Sequence, residues 1–91
     1  MTEKNTIKYC TTFEDGTVIN PYLACAFAEG FCEGENATAK DKFAAWSYIT
    51  GTGLYKNLQG FYGRQVEKFI ECGYITEEGE LTNFTIEQLN I

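Results

Sequence analysis

Glycine recurs so often in this chain that only short elements fit between its breaks. Gly16, Gly30, Gly34, Gly51, Gly53, Gly60, Gly63, Gly73 and Gly79 divide it. A glycine inside a helix costs about 1 kcal/mol relative to alanine, whereas just past a helix end it takes the left-handed conformation other residues resist. The segments between these breaks are therefore read one at a time.

Ile7-Lys8-Tyr9-Cys10-Thr11-Thr12-Phe13 is rich in β-branched and aromatic residues, and Thr17-Val18-Ile19 follows across Asp15-Gly16. Such a pair predicts an antiparallel hairpin, 7–13 with 17–19. Asn20-Pro21 then opens a helix, because Asn caps well and Pro suits the first helical position. Leu23, Ala24, Phe27, Ala28 and Phe31 form its apolar face. Gly30 interrupts this segment and Gly34 ends it.

Thr38 with Asp41 resembles a capping box, and Phe43, Trp46, Ile49 and Thr50 follow at helical steps. That predicts a helix over 38–50, broken by Gly51-Thr52-Gly53. A turn over 54–58 and a helix over 61–72 come next, the latter with a core face of Tyr62, Val66, Phe69 and Ile70 and with Gly73 as its cap. Short strands at 74–76 and 80–82 flank Glu77-Glu78-Gly79, and Thr85 to Gln88 suits a last helical turn. The expected fold is α+β and mainly helical. It has an N-terminal β-hairpin, three to four short packed helices, and a short C-terminal hairpin or tail. Residues 1–91 read as one compact domain, with 1–6 and 83–91 loosely ordered.

Chemistry is constrained by what the chain lacks. It has no histidine, so the commonest general base is missing and a reactive thiol has no imidazole partner. Cys10, Cys25, Cys32 and Cys72 contain no Cys-x-x-Cys pair to grip zinc and read as reduced core thiols. Neither a catalytic residue, a metal site nor a cofactor is expected, and the chain is not expected to be an enzyme. No apolar run near Met1 resembles a signal peptide, and none is long enough to span a membrane. A cytoplasmic location follows as the expectation.

The net charge of -6 is unevenly placed. Residues 14–37 carry Glu14, Asp15, Glu29, Glu33 and Glu35 and no base; residues 74–91 carry Glu77, Glu78, Glu80 and Glu87 and no base. The stretch between them is slightly basic. An acidic chain is a poor nucleic-acid or membrane ligand but is steered towards basic protein surfaces. Within the centre, Gly51, Gly53, Gly60 and Gly63 surround Tyr55, Phe61, Tyr62 and the sole arginine, Arg64. Close-packed glycines at a helix start expose amides, and Tyr and Arg are enriched at binding hot spots. The alternative is a tight inter-helix corner with Arg64 paired to Glu67 or Glu71. The order 38–50, 54–58, 61–72 and 74–82 is also that of a winged helix-turn-helix, although its second helix carries no net charge.

Gly34-Glu35-Asn36-Ala37-Thr38, Ala45-Trp46-Ser47-Tyr48-Ile49, Thr52-Gly53-Leu54 and Leu58-Gln59-Gly60-Phe61-Tyr62-Gly63-Arg64 resemble a string found in a group of small tailed-phage accessory proteins of unknown function. The resemblance spans about residues 15–75 and is most specific over 34–64. It implies a phage-encoded protein made inside a bacterium. The expected function is host takeover or anti-defence, by direct binding to and inhibition of a bacterial protein in an anti-CRISPR-like manner. The expected partner is a defence component with a basic nucleic-acid-binding surface. Tyr55, Phe61, Tyr62 and Arg64 are the expected contacts, with Glu29, Glu33 and Glu35 beside them. The alternatives are a sponge for a small nucleotide signal and a small winged-helix-like regulator.

Overall fold

A computed structural model of the chain describes residues 7–89. Four helices form: α1 (Pro21–Glu29), α2 (Ala39–Thr52), α3 (Gly60–Glu71) and α4 (Asn83–Leu89). Single 3-10 turns, Cys32–Gly34 and Leu54–Asn57, follow α1 and α2. The helix starts sit where local chemistry puts them. Asn20 Oδ1 accepts the Leu23 amide proton at 2.8 Å, and Thr38 Oγ1 accepts that of Asp41 at 3.2 Å. Each supplies an acceptor to one of the orphan donors of a first helical turn.

The described residues contain no strand, which corrects the α+β expectation. The N-terminal hairpin is reduced to one antiparallel bridge, Thr12 with Val18, around a turn in which Asp15 Oδ1 accepts the Thr17 amide at 2.9 Å. Two features stop the ladder. Pro21 starts α1 immediately after Ile19-Asn20, so the returning arm has no length. The outgoing arm is also held elsewhere, because the Cys10 amide donates to Ser47 Oγ of α2 at 2.8 Å. The C-terminal hairpin likewise shrinks to one bridge, Ile75 with Leu81. Beyond it Thr82 caps α4 through Oγ1, and the buried Thr85 donates to the Tyr74 carbonyl at 2.7 Å. The expectations for residues 1–6 and 90–91 lie outside the described residues.

α2 is the axis of the core. Ala45 and Ile49 are fully buried, and Trp46 packs on Tyr62 and Phe69 of α3 with ring centroids 5.6 and 5.5 Å apart. Phe13 stacks on Phe27 of α1 at 4.0 Å, which ties the N-terminal loop to the first helix. Ile75 and Val66, each 1% exposed, complete the core. Burying a side chain of this size stabilises by about 1.5–3 kcal/mol.

Ser47, with no exposed surface, joins three parts of the chain. Besides accepting from Cys10, its hydroxyl donates to the Gly79 carbonyl at 2.5 Å. The 77–80 turn lies so close to α2 that a Cβ at Gly79 would sit 2.6 Å from the Ser47 carbonyl oxygen and 2.8 Å from the Gly51 backbone. Gly79 also has a φ of 90°. Only glycine meets both conditions without strain.

Candidate functional site

The end of α1 builds the most exposed aromatic feature. Gly30, with φ 79°, caps the helix, and the amides of Gly30 and Phe31 both donate to the Ala26 carbonyl at 2.8 and 3.0 Å. The helix thus stops at the first of the two candidate glycines rather than at Gly34. Phe31 leaves the apolar face that helical spacing assigns to it and is 40% exposed. Tyr22, in the first turn of α1, is 52% exposed, and the two rings meet edge-on with centroids 6.5 Å apart. The Tyr22 hydroxyl donates to Glu33 Oε1 at 2.9 Å. Contact with the Cys32 thiol, then with the Glu33 carboxylate, pushes the Tyr22 phenol above its ordinary range.

The seven expected site residues are divided rather than gathered. Tyr62 is buried, 3% exposed, and its hydroxyl donates to Glu29. Burial, then the bonds to Glu29 and Cys25, hold its phenol above the ordinary tyrosine range. Tyr62 therefore belongs to the core, where it links α3 to α1. Phe61 beside it is 38% exposed, with ring centroids 4.3 Å apart. Arg64 is exposed and folds back towards Gly60, where its Nη1 would lie 3.2 Å from an added Cβ. Among the described residues it forms no ion pair with Glu67 or Glu71, the pairing that the alternative, inter-helix-corner reading supposed. Glu29, Glu33 and Glu35 are exposed, and no described cation lies within ion-pair distance of them.

Tyr55 is on a different surface. It is half-buried and lines an open groove of about 550 Å³ with Lys56, Glu67, Ile70, Glu71 and Glu77. This groove combines three carboxylates with Tyr55 and Ile70, and Lys56 also lines it. The cysteines are free, and the core-thiol expectation needs correction: Cys10 and Cys25 are half-buried, and Cys32 and Cys72 are exposed. No group of three or more Cys, Asp or Glu among the described residues is arranged to hold a metal ion, and no described helix is long and apolar enough to cross a membrane.

Sequence reasoning missed Tyr22 and Phe31. The signal available was Gly30: read as a cap rather than an interruption, it ends the helix before Phe31 and turns that ring outward.

These features define a small helical domain with an acidic, aromatic corner at the end of its first helix. The chain belongs to the family described as Domain of unknown function (DUF7417), which it matches over residues 32–90. The matched range takes in the Gly34–Arg64 string and α2, α3 and α4, and begins one residue after Phe31. No curated protein and no solved structure matches the chain.

Proposed function

We propose that this protein acts by direct binding: a phage-encoded host-takeover or anti-defence factor that covers a basic, nucleic-acid-binding surface of a bacterial protein. The observation that carries this reading is the display of Glu29, Glu33 and Glu35 on one short stretch, exposed and without a described cation beside them. Carboxylates placed in this way offer a partner what a phosphate backbone offers, and long-range attraction raises the encounter rate. The Gly34–Arg64 string supports the phage origin. The sponge reading is less well supported, since Tyr62, one of the rings it would use to stack a base, is buried against Trp46. The regulator reading loses its wing, which amounts to one bridge.

The test is to isolate the bacterial protein retained by the tagged chain and measure that protein's own nucleic-acid binding. Equimolar chain should displace the nucleic acid, with an effect that weakens as salt rises. Two results refute the proposal: no protein is specifically retained, or the retained protein binds nucleic acid as well with the chain as without it. A nucleotide mass carried by the purified chain in native mass spectrometry would replace this reading with the sponge.

A further inference from the structure

The Tyr22–Phe31 corner has the chemistry to recognise one kind of side chain. Its two exposed rings stand nearly perpendicular, the edge of one towards the face of the other, and the Glu33 carboxylate lies against the Tyr22 hydroxyl. Tyr22 occupies only Oε1 of that carboxylate, and Oε2 has no partner among the described residues. We infer that this corner is the contact face and that it receives an arginine side chain of the partner, the guanidinium lying on an aromatic ring and donating to Glu33. The inference rests on the binding function proposed above and adds to it the face and the side chain recognised.

Charge and shape both select this occupant. The stretch 14–37 has no base, no described cation lies within ion-pair distance of Glu33, and Glu29 and Glu35 add to the negative charge of the segment. A guanidinium is planar, stacks on aromatic faces and donates through a fork that suits a carboxylate, whereas an ammonium is compact and strongly hydrated. The corner is also held in place before any partner arrives. A Cβ at Gly34 would overlap the Ala26 carbonyl and the Phe27 backbone, so the 3-10 turn lies directly on α1. Cys32, between Phe31 and Glu33, is the only non-glycine residue among those described with a positive φ, at 47°. Such a conformation persists only where its surroundings enforce it, and little ordering is left to be done on binding. The Tyr55 groove is the weaker competitor, because Lys56 offsets its carboxylates and Tyr55 is half-buried.

The experiment is an amide and aromatic NMR titration of the full chain with a blocked penta-arginine peptide, and separately with penta-lysine, at low salt. Shifts should concentrate on Tyr22 and residues 29–35, with arginine binding roughly fivefold tighter than lysine. Glu33→Gln and Tyr22→Ala, both at exposed positions, should each weaken binding by roughly tenfold while the spectrum stays that of a folded chain. Glu80→Gln, exposed on the distant turn, should change it by less than about twofold. Equal affinity for the two peptides, or indifference to both corner variants, overturns the inference. Shifts centred on Tyr55, Glu67 and Glu77 also overturn it, yet leave a basic partner in place. Whether that broader reading stands is decided separately, by the displacement measurement.

Discussion

Replacing Ser47 with alanine tests how the chain holds its non-helical arms. The substitution removes one oxygen from a fully buried position and leaves both partners behind. The Cys10 amide, at 2.8 Å, is only partly buried and can turn to water, so its loss costs about 1 kcal/mol. The Gly79 carbonyl, at 2.5 Å, is buried against α2 and has no second donor, so its loss costs about 1–3 kcal/mol. Alanine's better helix propensity returns roughly 0.5 kcal/mol. The net expectation is a loss of about 2 kcal/mol. For a domain of this size that lowers the thermal midpoint by roughly 8–16 °C. Urea unfolding followed by far-ultraviolet circular dichroism gives the free energy, and amide exchange at Cys10 and at the 77–80 turn locates it. A loss below about 0.5 kcal/mol, within the range of ordinary surface substitutions, would refute the reasoning.

Two further predictions rest on the same packing. Gly79→Ala should destabilise by more than about 2 kcal/mol, since it combines a positive φ with a Cβ placed 2.6 Å from the Ser47 carbonyl oxygen; an urea midpoint equal to wild type would contradict the close approach. Tyr62→Phe should cost about 1 kcal/mol at neutral pH, from the bond to the exposed Glu29. Because the folded phenol titrates above the ordinary value of 10.0, the unfolded chain loses that proton first. Wild-type stability from this group is therefore complete below pH 10 and declines above it, so the gap to Tyr62→Phe should narrow as pH rises beyond that point. Stability curves for both proteins at neutral and alkaline pH measure this, and a gap that widens is the opposing result.

The helices could be read from the chain because their signals are local. Asn20 and Thr38 accept amides within one turn and Pro21 takes the first helical position, whereas the Asp41 carboxylate is taken by the distant Glu14 amide; α2 and α3 begin within one residue of their expected starts. Where two glycines competed to end α1, the sequence reading chose Gly34, whereas Gly30 became the cap and Gly34 the contact with the helix it follows. The two hairpins failed for another reason. β-Branched residues around a turn state a preference for extended backbone, but a ladder also needs the partner arm to be free. Here Ser47 takes the Cys10 amide of the first hairpin for α2, and binds the turn of the second through the Gly79 carbonyl.

The candidate site divides along the same line. That the chain is acidic, aromatic and interrupted by glycine is written in its residues. Whether a given aromatic faces the core or the solvent depends on partners far along the chain. Tyr62 is buried because Trp46 and Glu29, 16 and 33 residues earlier, meet it from two other helices. Phe31 is displayed because α1 ends at Gly30, before that ring can join the helix's apolar face. Local propensity sets where elements begin, whereas burial is a property of the assembled surface. Only the packed structure could exchange Tyr62 for Tyr22 as the exposed tyrosine beside a glutamate.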